Sequence, residues 1–133
     1  MDFDHLTSIA EDQDKGRWLT LVEPYEGKTV GVRLLIAGPD SNVQARARLK
    51  LADEMAEMAD DEGRVSAENR ENLRIRNLAR CVIGWDITTP EGKKGELAFT
   101  FDNVRRLLAA GRWVQEQVDD FAGSRRAFAK GEA

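Results

Sequence analysis

At 133 residues the chain has room for one domain with its own core and not for two of ordinary size. Apolar residues make up 41% and charged residues 33%, a balance that suits a modest core under a heavily charged surface. The formal net charge of -4 argues against general nucleic-acid affinity, because phosphate binding needs a positive field over at least one face; only a local patch could serve that role.

Residues 1–15 are acidic where a secretory signal would be basic and then apolar. Phe3, Leu6 and Ile9 recur at a spacing of three, enough for one helical turn or two in an otherwise weakly ordered segment. From Arg17 the pattern changes. "RWLTLVE" and "KTVGVRLLIAG" flank a turn bracketed by Pro24 and Gly27, and Val30, Val32, Leu34 and Ile36 alternate, so the spacing predicts a β-hairpin with one aliphatic face. Gly38-Pro39 ends it. Ser41 and Gln44 then stand at the spacing of a capping box, and Val43, Ala47, Leu51, Met55 and Met58 form the stripe of a long helix that Gly63 should end.

The charges of that helix oppose its dipole, with Arg46, Arg48 and Lys50 early and Asp53 to Glu62 rich in acids late. A second helix capped by Ser66 carries Arg70, Arg74, Arg76 and Arg80. Folding it back about Gly63 would set the late acids near the early arginines of the second helix, Arg70 and Arg74, so a helical hairpin is expected. Leu73, Ile75, Leu78 and Val82 give its buried side, and Gly84 should close it. A strand from Trp85 to Ile87, the turn "PEGKKG" and a return strand through Leu97 and Phe99 read as a second hairpin. Thr100 then caps a short helix that stops before Gly111, and a last helix runs from Arg112 to Phe128 with Val114, Val118 and Phe121 on one stripe. The expected fold is α+β: two β-hairpins in a small antiparallel sheet, packed with a helical hairpin and a C-terminal helix pair. Residues 16–130 form one domain and 131–133 a frayed end.

Candidates for chemistry are few. His5, the only histidine, lies in the acidic N-terminal segment without an orienting group. Cys81 is the only cysteine, which excludes an intramolecular disulfide and a thiolate metal cage and fits a reducing cytoplasm; among apolar neighbours it reads as a buried thiol. Asp60, Asp61 and Glu62 lack the alternating ligands of a calcium loop, and "PEGKKG" lacks the spacing of a phosphate loop. No enzyme, metal or cofactor is therefore expected. Five arginines from Arg64 to Arg80 face only Glu68 and Glu71, the feature a nucleic-acid-binding regulator would need, although neutralising the preceding acids explains them too. Trp18, Trp85, Phe99, Phe101 and Phe121 should be core, whereas Trp113 and Phe128 look spare and, with Phe121 on the last helix, are candidate partner contacts.

Taken in order, "GRWLTLVEP", "EGKTVGVRLLIAGPDS", "LARCVIGWD", "GELAFTFDNVRRLLA" and "RWVQEQVDDFAGSRRAFA" resemble the tail assembly chaperones of long-tailed bacteriophages and related prophages. The carried positions are Trp18 and Leu19, Gly27, Asp40 and Ser41, Gly84 and Trp85, and then Phe99, Thr100, Asn103, Leu107 and Leu108. Phe101 and Asp102 depart from the residues common there, yet both keep helix-start chemistry. The resemblance implies a non-enzymatic protein of the bacterial host's cytoplasm that binds the tape measure protein, keeps it soluble, helps recruit tail tube subunits and is absent from the mature virion. Thr100, Asn103, Leu107 and Leu108 would then form a structural corner. A small head-to-tail connector is the alternative structural reading.

Overall fold

Asp2 starts the first helix, α1 (Phe3–Asp14), by accepting the His5 backbone N–H at 2.8 Å. Our computed structural model describes residues 2–88, 92, 95 and 97–129. At 12 residues α1 is longer than the one or two turns expected, and its C-terminal end is tied to the domain by polar groups. Buried Gln13 accepts the Asp40 N–H on its side chain at 2.7 Å and the Gly38 N–H on its carbonyl at 3.1 Å. Asp14 takes the Val43 N–H at 2.9 Å and the Asn42 amide at 2.8 Å, so the end of one helix caps the start of another.

The expected first hairpin is present: β1 (Arg17–Val22) pairs antiparallel with β2 (Thr29–Ile36). Its alternation sorts the faces, with Leu34 and Ile36 fully buried. Ser41 caps α2 (Asn42–Met58), accepting from Gln44 N at 3.1 Å. Only half of a capping box forms, because the Gln44 amide instead donates to Ala37 O at 2.8 Å and Ala122 O at 2.9 Å.

The next helix, α3 (Ala67–Cys81), is capped by Ser66 and packs against α2 as the expected helical hairpin. Two details differ. α2 stops at Met58 rather than Gly63, and Gly63 sits at φ 81° in a loop where the Asp60 carboxylate accepts from Glu62 N and Arg64 N, each at 2.9 Å. The ion pairs are also not the ones expected. One acid, Glu54, serves two late arginines, with Arg76 Nε at 3.1 Å and Arg80 Nη2 at 2.6 Å. Arg74 turns away to Glu71 at 2.8 Å and to Gln115, since two residues along a helix is roughly half a turn.

α3 passes at Cys81 directly into β3 (Val82–Ile87), three residues before the Gly84 stop that the sequence suggests. β3 pairs antiparallel with β2, giving one sheet in the order β1-β2-β3. The α+β class therefore holds, with one hairpin and a third strand in place of two hairpins. Most of the "PEGKKG" turn lies outside the described residues. Leu97 to Thr100 takes no place in the ladder; the chain returns instead through Gly95 N–H to Ile87 O at 2.6 Å and an edge-to-face contact between Phe99 and Trp85, 5.5 Å between centroids.

Thr100 leads into α4 (Phe101–Ala109), followed by α5 (Arg112–Ala122). The expected single helix to Phe128 breaks at Gly123, and a 3-10 turn over Arg126–Phe128 closes the described chain; residues 131–133 lie outside it. The core fills the space between one sheet face and α3, α4 and α5, with Leu21, Leu34, Ile36, Leu78, Leu108 and Val118 at its centre. Burial of this kind contributes about 25 cal/mol per Å² of apolar area. Three aromatics expected inside lie at the surface: Trp18, Phe99 and Phe101 are each more than two-fifths exposed. Trp18 points from the other sheet face, where the Arg33 guanidinium stacks 4.7 Å from its ring and pairs across the strands with Asp86 at 2.7 Å. Among the described residues no helix is long and apolar enough to cross a membrane.

Candidate partner-binding surface

The corner at Thr100 is built as its residues suggest. Thr100 is extended (φ -134°, ψ 156°) and its hydroxyl oxygen accepts the Asn103 N–H at 3.1 Å, while the Asn103 amide reaches back to Ala98 O at 2.9 Å. Asp102 sits in the first turn, where the helix N-terminus favours a carboxylate. The hydrogen bond from Arg105 at 2.7 Å holds the Asp102 pKa below its usual range. Leu108 and Val104 enter the core, Leu107 packs beside them, and buried Gln115 donates to Leu108 O at 3.0 Å. That last bond ties the exposed end of α4 to α5.

The three proposed partner contacts divide. Phe128 is only 2% exposed and meets the Phe121 ring edge to face at 5.4 Å, so it is a core residue and offers a partner nothing. The 3-10 turn after Gly123 is what folds it inward. Trp113 and Phe121 are half-buried against the same core, with the Trp113 ring lying over Gly111, where an added Cβ would come within 2.9 Å of its Nε1. Each retains an accessible edge, and the two do not form one patch with Phe128.

A different surface gathers more exposed apolar and charged groups. Val43, Arg46, Ala47, Lys50 and Glu54 lie on one side of α2, and Arg76 and Arg80 face them from α3. With Phe101, most of these line a hollow of about 410 Å³. Both guanidiniums lie near the Phe101 ring, Arg76 at 5.6 Å and Arg80 at 5.9 Å. Arg76 also borders a second hollow of about 290 Å³, whose walls include Met58, Leu73, Ile75, Arg105 and Ala109. With Arg76 as a shared wall, the two hollows follow one another along α3 between α2 and α4, an interrupted groove. The sequence holds a usable signal for it that the sorting of charge runs missed: cationic pairs at i,i+4 on both helices of a hairpin, Arg46/Lys50 and Arg76/Arg80, which the hairpin must bring face to face.

The chemistry-bearing candidates stay apart. His5 is exposed on α1. Cys81 is buried at the end of α3, and burial pushes its thiol pKa up to about 11, which disfavours the reactive thiolate. No group of three or more His, Cys, Asp or Glu suited to a metal occurs among the described residues. No protein-family model, curated protein or solved structure matches the chain. What stands is a class: an α+β domain with a three-stranded antiparallel sheet packed on helices.

Proposed function

We propose that this chain is a non-enzymatic tail assembly chaperone of a long-tailed bacteriophage or prophage, acting in the bacterial cytoplasm and leaving before the virion matures. The reading is carried by the order of motifs from Gly16 to Ala129, in which the run Phe99, Thr100, Asn103, Leu107, Leu108 falls where that family's resemblance needs a scaffold corner. A tape measure protein exposes long apolar helical surface, and such surface aggregates unless covered. A small chain with exposed aromatic and aliphatic groups set among charges, as at Phe101, Met55 and Met58, has the means to cover it and remain dispersed. Recruitment of tail tube subunits would follow from the same complex.

Co-expression tests this directly. Made with this chain, a tape measure protein of the same phage or prophage should stay in the soluble fraction and co-purify; made alone it should pellet. Pelleting in both cases would sink the proposal. Should the chain instead retain duplex DNA at physiological salt, the arginine-bearing α3 would be the basis of a regulator.

A further inference from the structure

The groove along α3 is costly in local terms. Arg46 and Lys50 stand one turn apart on α2 and repel each other at i,i+4. Neither makes an ion pair with any described residue. Arg80 is mostly buried, its side chain 12% exposed. Its Nη2 lies 2.6 Å from Glu54 Oε1, yet off the line a hydrogen bond needs, and Nη1 has no partner among the described residues. A buried guanidinium with unused donors calls for an acceptor. Glu54 pairs with Arg76 and Arg80, whereas Arg46 and Lys50, which line the same hollow, have no carboxylate of their own among the described residues, so positive charge is left unbalanced there in a chain whose net charge is negative. Breaches of local preference gathered at one place are the mark of a functional site.

We infer that the groove between α2, α3 and α4 is a docking site for an acidic amphipathic helix of a partner protein. Its lining runs along α3 from Asn69 to Arg80, about 16 Å at the helical rise, which accommodates about three turns of a second helix. Apolar side chains of that helix would rest on Val43, Ala47 and Phe101 at one end and on Met58 and Ile75 at the other, in the helix-in-groove mode. Its carboxylates would take the free cations at the rim and the open donors of Arg80. Charge complementarity selects the sign of the partner. Nucleic-acid phosphate is the less suitable occupant, because it would leave the apolar floor from Val43 to Ile75 unfilled. The inference rests on the chaperone reading in that it supplies the chemistry of the segment bound, and it can fail separately.

The test uses two fluorescently labelled synthetic helices with the same leucine stripe at i, i+3, i+4 and i+7, one flanked by glutamate and the other by lysine, titrated by anisotropy against the full chain. The glutamate helix should bind at least about tenfold tighter. In the double variant Arg46→Glu with Lys50→Glu, whose sites are exposed, its affinity should drop about tenfold or more, with the thermal melt used to establish that the variant is folded. Phe101→Ala should weaken both helices. Equal binding of the two helices by the unaltered chain, or an unchanged preference in the folded double variant, would overturn the inference; so would an unlabelled DNA duplex that displaces the glutamate helix at physiological salt. Co-expression separates the two readings. A folded double variant that still keeps the tape measure protein soluble refutes the groove and leaves the chaperone, whereas an unaltered chain that binds the glutamate helix but rescues nothing refutes the chaperone and leaves the groove.

Discussion

The Thr100 corner and the α3 groove meet at Phe101, and they are built on opposite terms. In the corner each polar group is answered close by, Thr100 by Asn103 N at 3.1 Å and Asn103 by Ala98 O at 2.9 Å. In the groove two of the four cations, Arg76 and Arg80, share one carboxylate, and Arg46 and Lys50 pair with no described residue. The corner is closed, and its residues serve the fold. The groove leaves charge unbalanced, and the stability it forgoes is the stability a partner could restore.

That contrast can be broken first at Leu108. Leu108→Ala removes a fully buried side chain where α4 meets the core and should cost about 2–5 kcal/mol; urea unfolding with a loss under about 1 kcal/mol would mean that the corner does not anchor α4. Glu54→Ala comes next. It strips Arg80 of its counter-charge, so a loss of about 1–3 kcal/mol is expected, and adding Arg80→Met should return part of it, since an apolar side chain tolerates that burial. A double variant no more stable than Glu54→Ala alone would show that Arg80 is not the source of the cost.

Thr100→Ala should lower stability by about 1 kcal/mol through loss of the cap, read as a shift in urea midpoint at constant slope. The smallest effect sharpens the comparison most. Arg46→Gln, by relieving the repulsion with Lys50, should leave stability unchanged or raise it by up to about 0.5 kcal/mol. A clear loss in the thermal melt would make Arg46 a structural cation and remove it from the open side of the comparison.

The corner was legible in the sequence because its bonds span three to five residues, within the reach of capping rules. The same holds for Ser41, Ser66 and the alternation that buries Leu34 and Ile36. Misreadings cluster where a distant element decides. Gln44 has the spacing of a capping box, yet its amide is drawn to Ala122, 78 residues away. Phe128 looked spare because the break at Gly123, which turns it inward, reads in sequence as one more helical position. Phe101 looked like core because nothing local reveals that two guanidiniums from α3 cover its ring. Arg74 and Arg76 belong to one charge run in the sequence, but helical phase sends one toward α5 and the other toward α2. The groove was hidden for the same reason: Arg46 and Arg76 stand apart along the chain and meet only once the hairpin has folded.

Gln117 bears on how the molecule is made. Its side-chain oxygen accepts the Val22 N–H at 3.0 Å and its amide nitrogen donates to the Val22 carbonyl at 2.5 Å, so one side chain occupies the place of a neighbouring strand on the edge of β1, across 95 residues of sequence. Exposed strand edges invite pairing with other chains. During synthesis the Val22 end of that edge stands open until α5 has left the ribosome, at which point a single glutamine takes up its N–H and carbonyl. Nascent chains stalled before residue 117 should therefore associate through β1 more readily than completed ones.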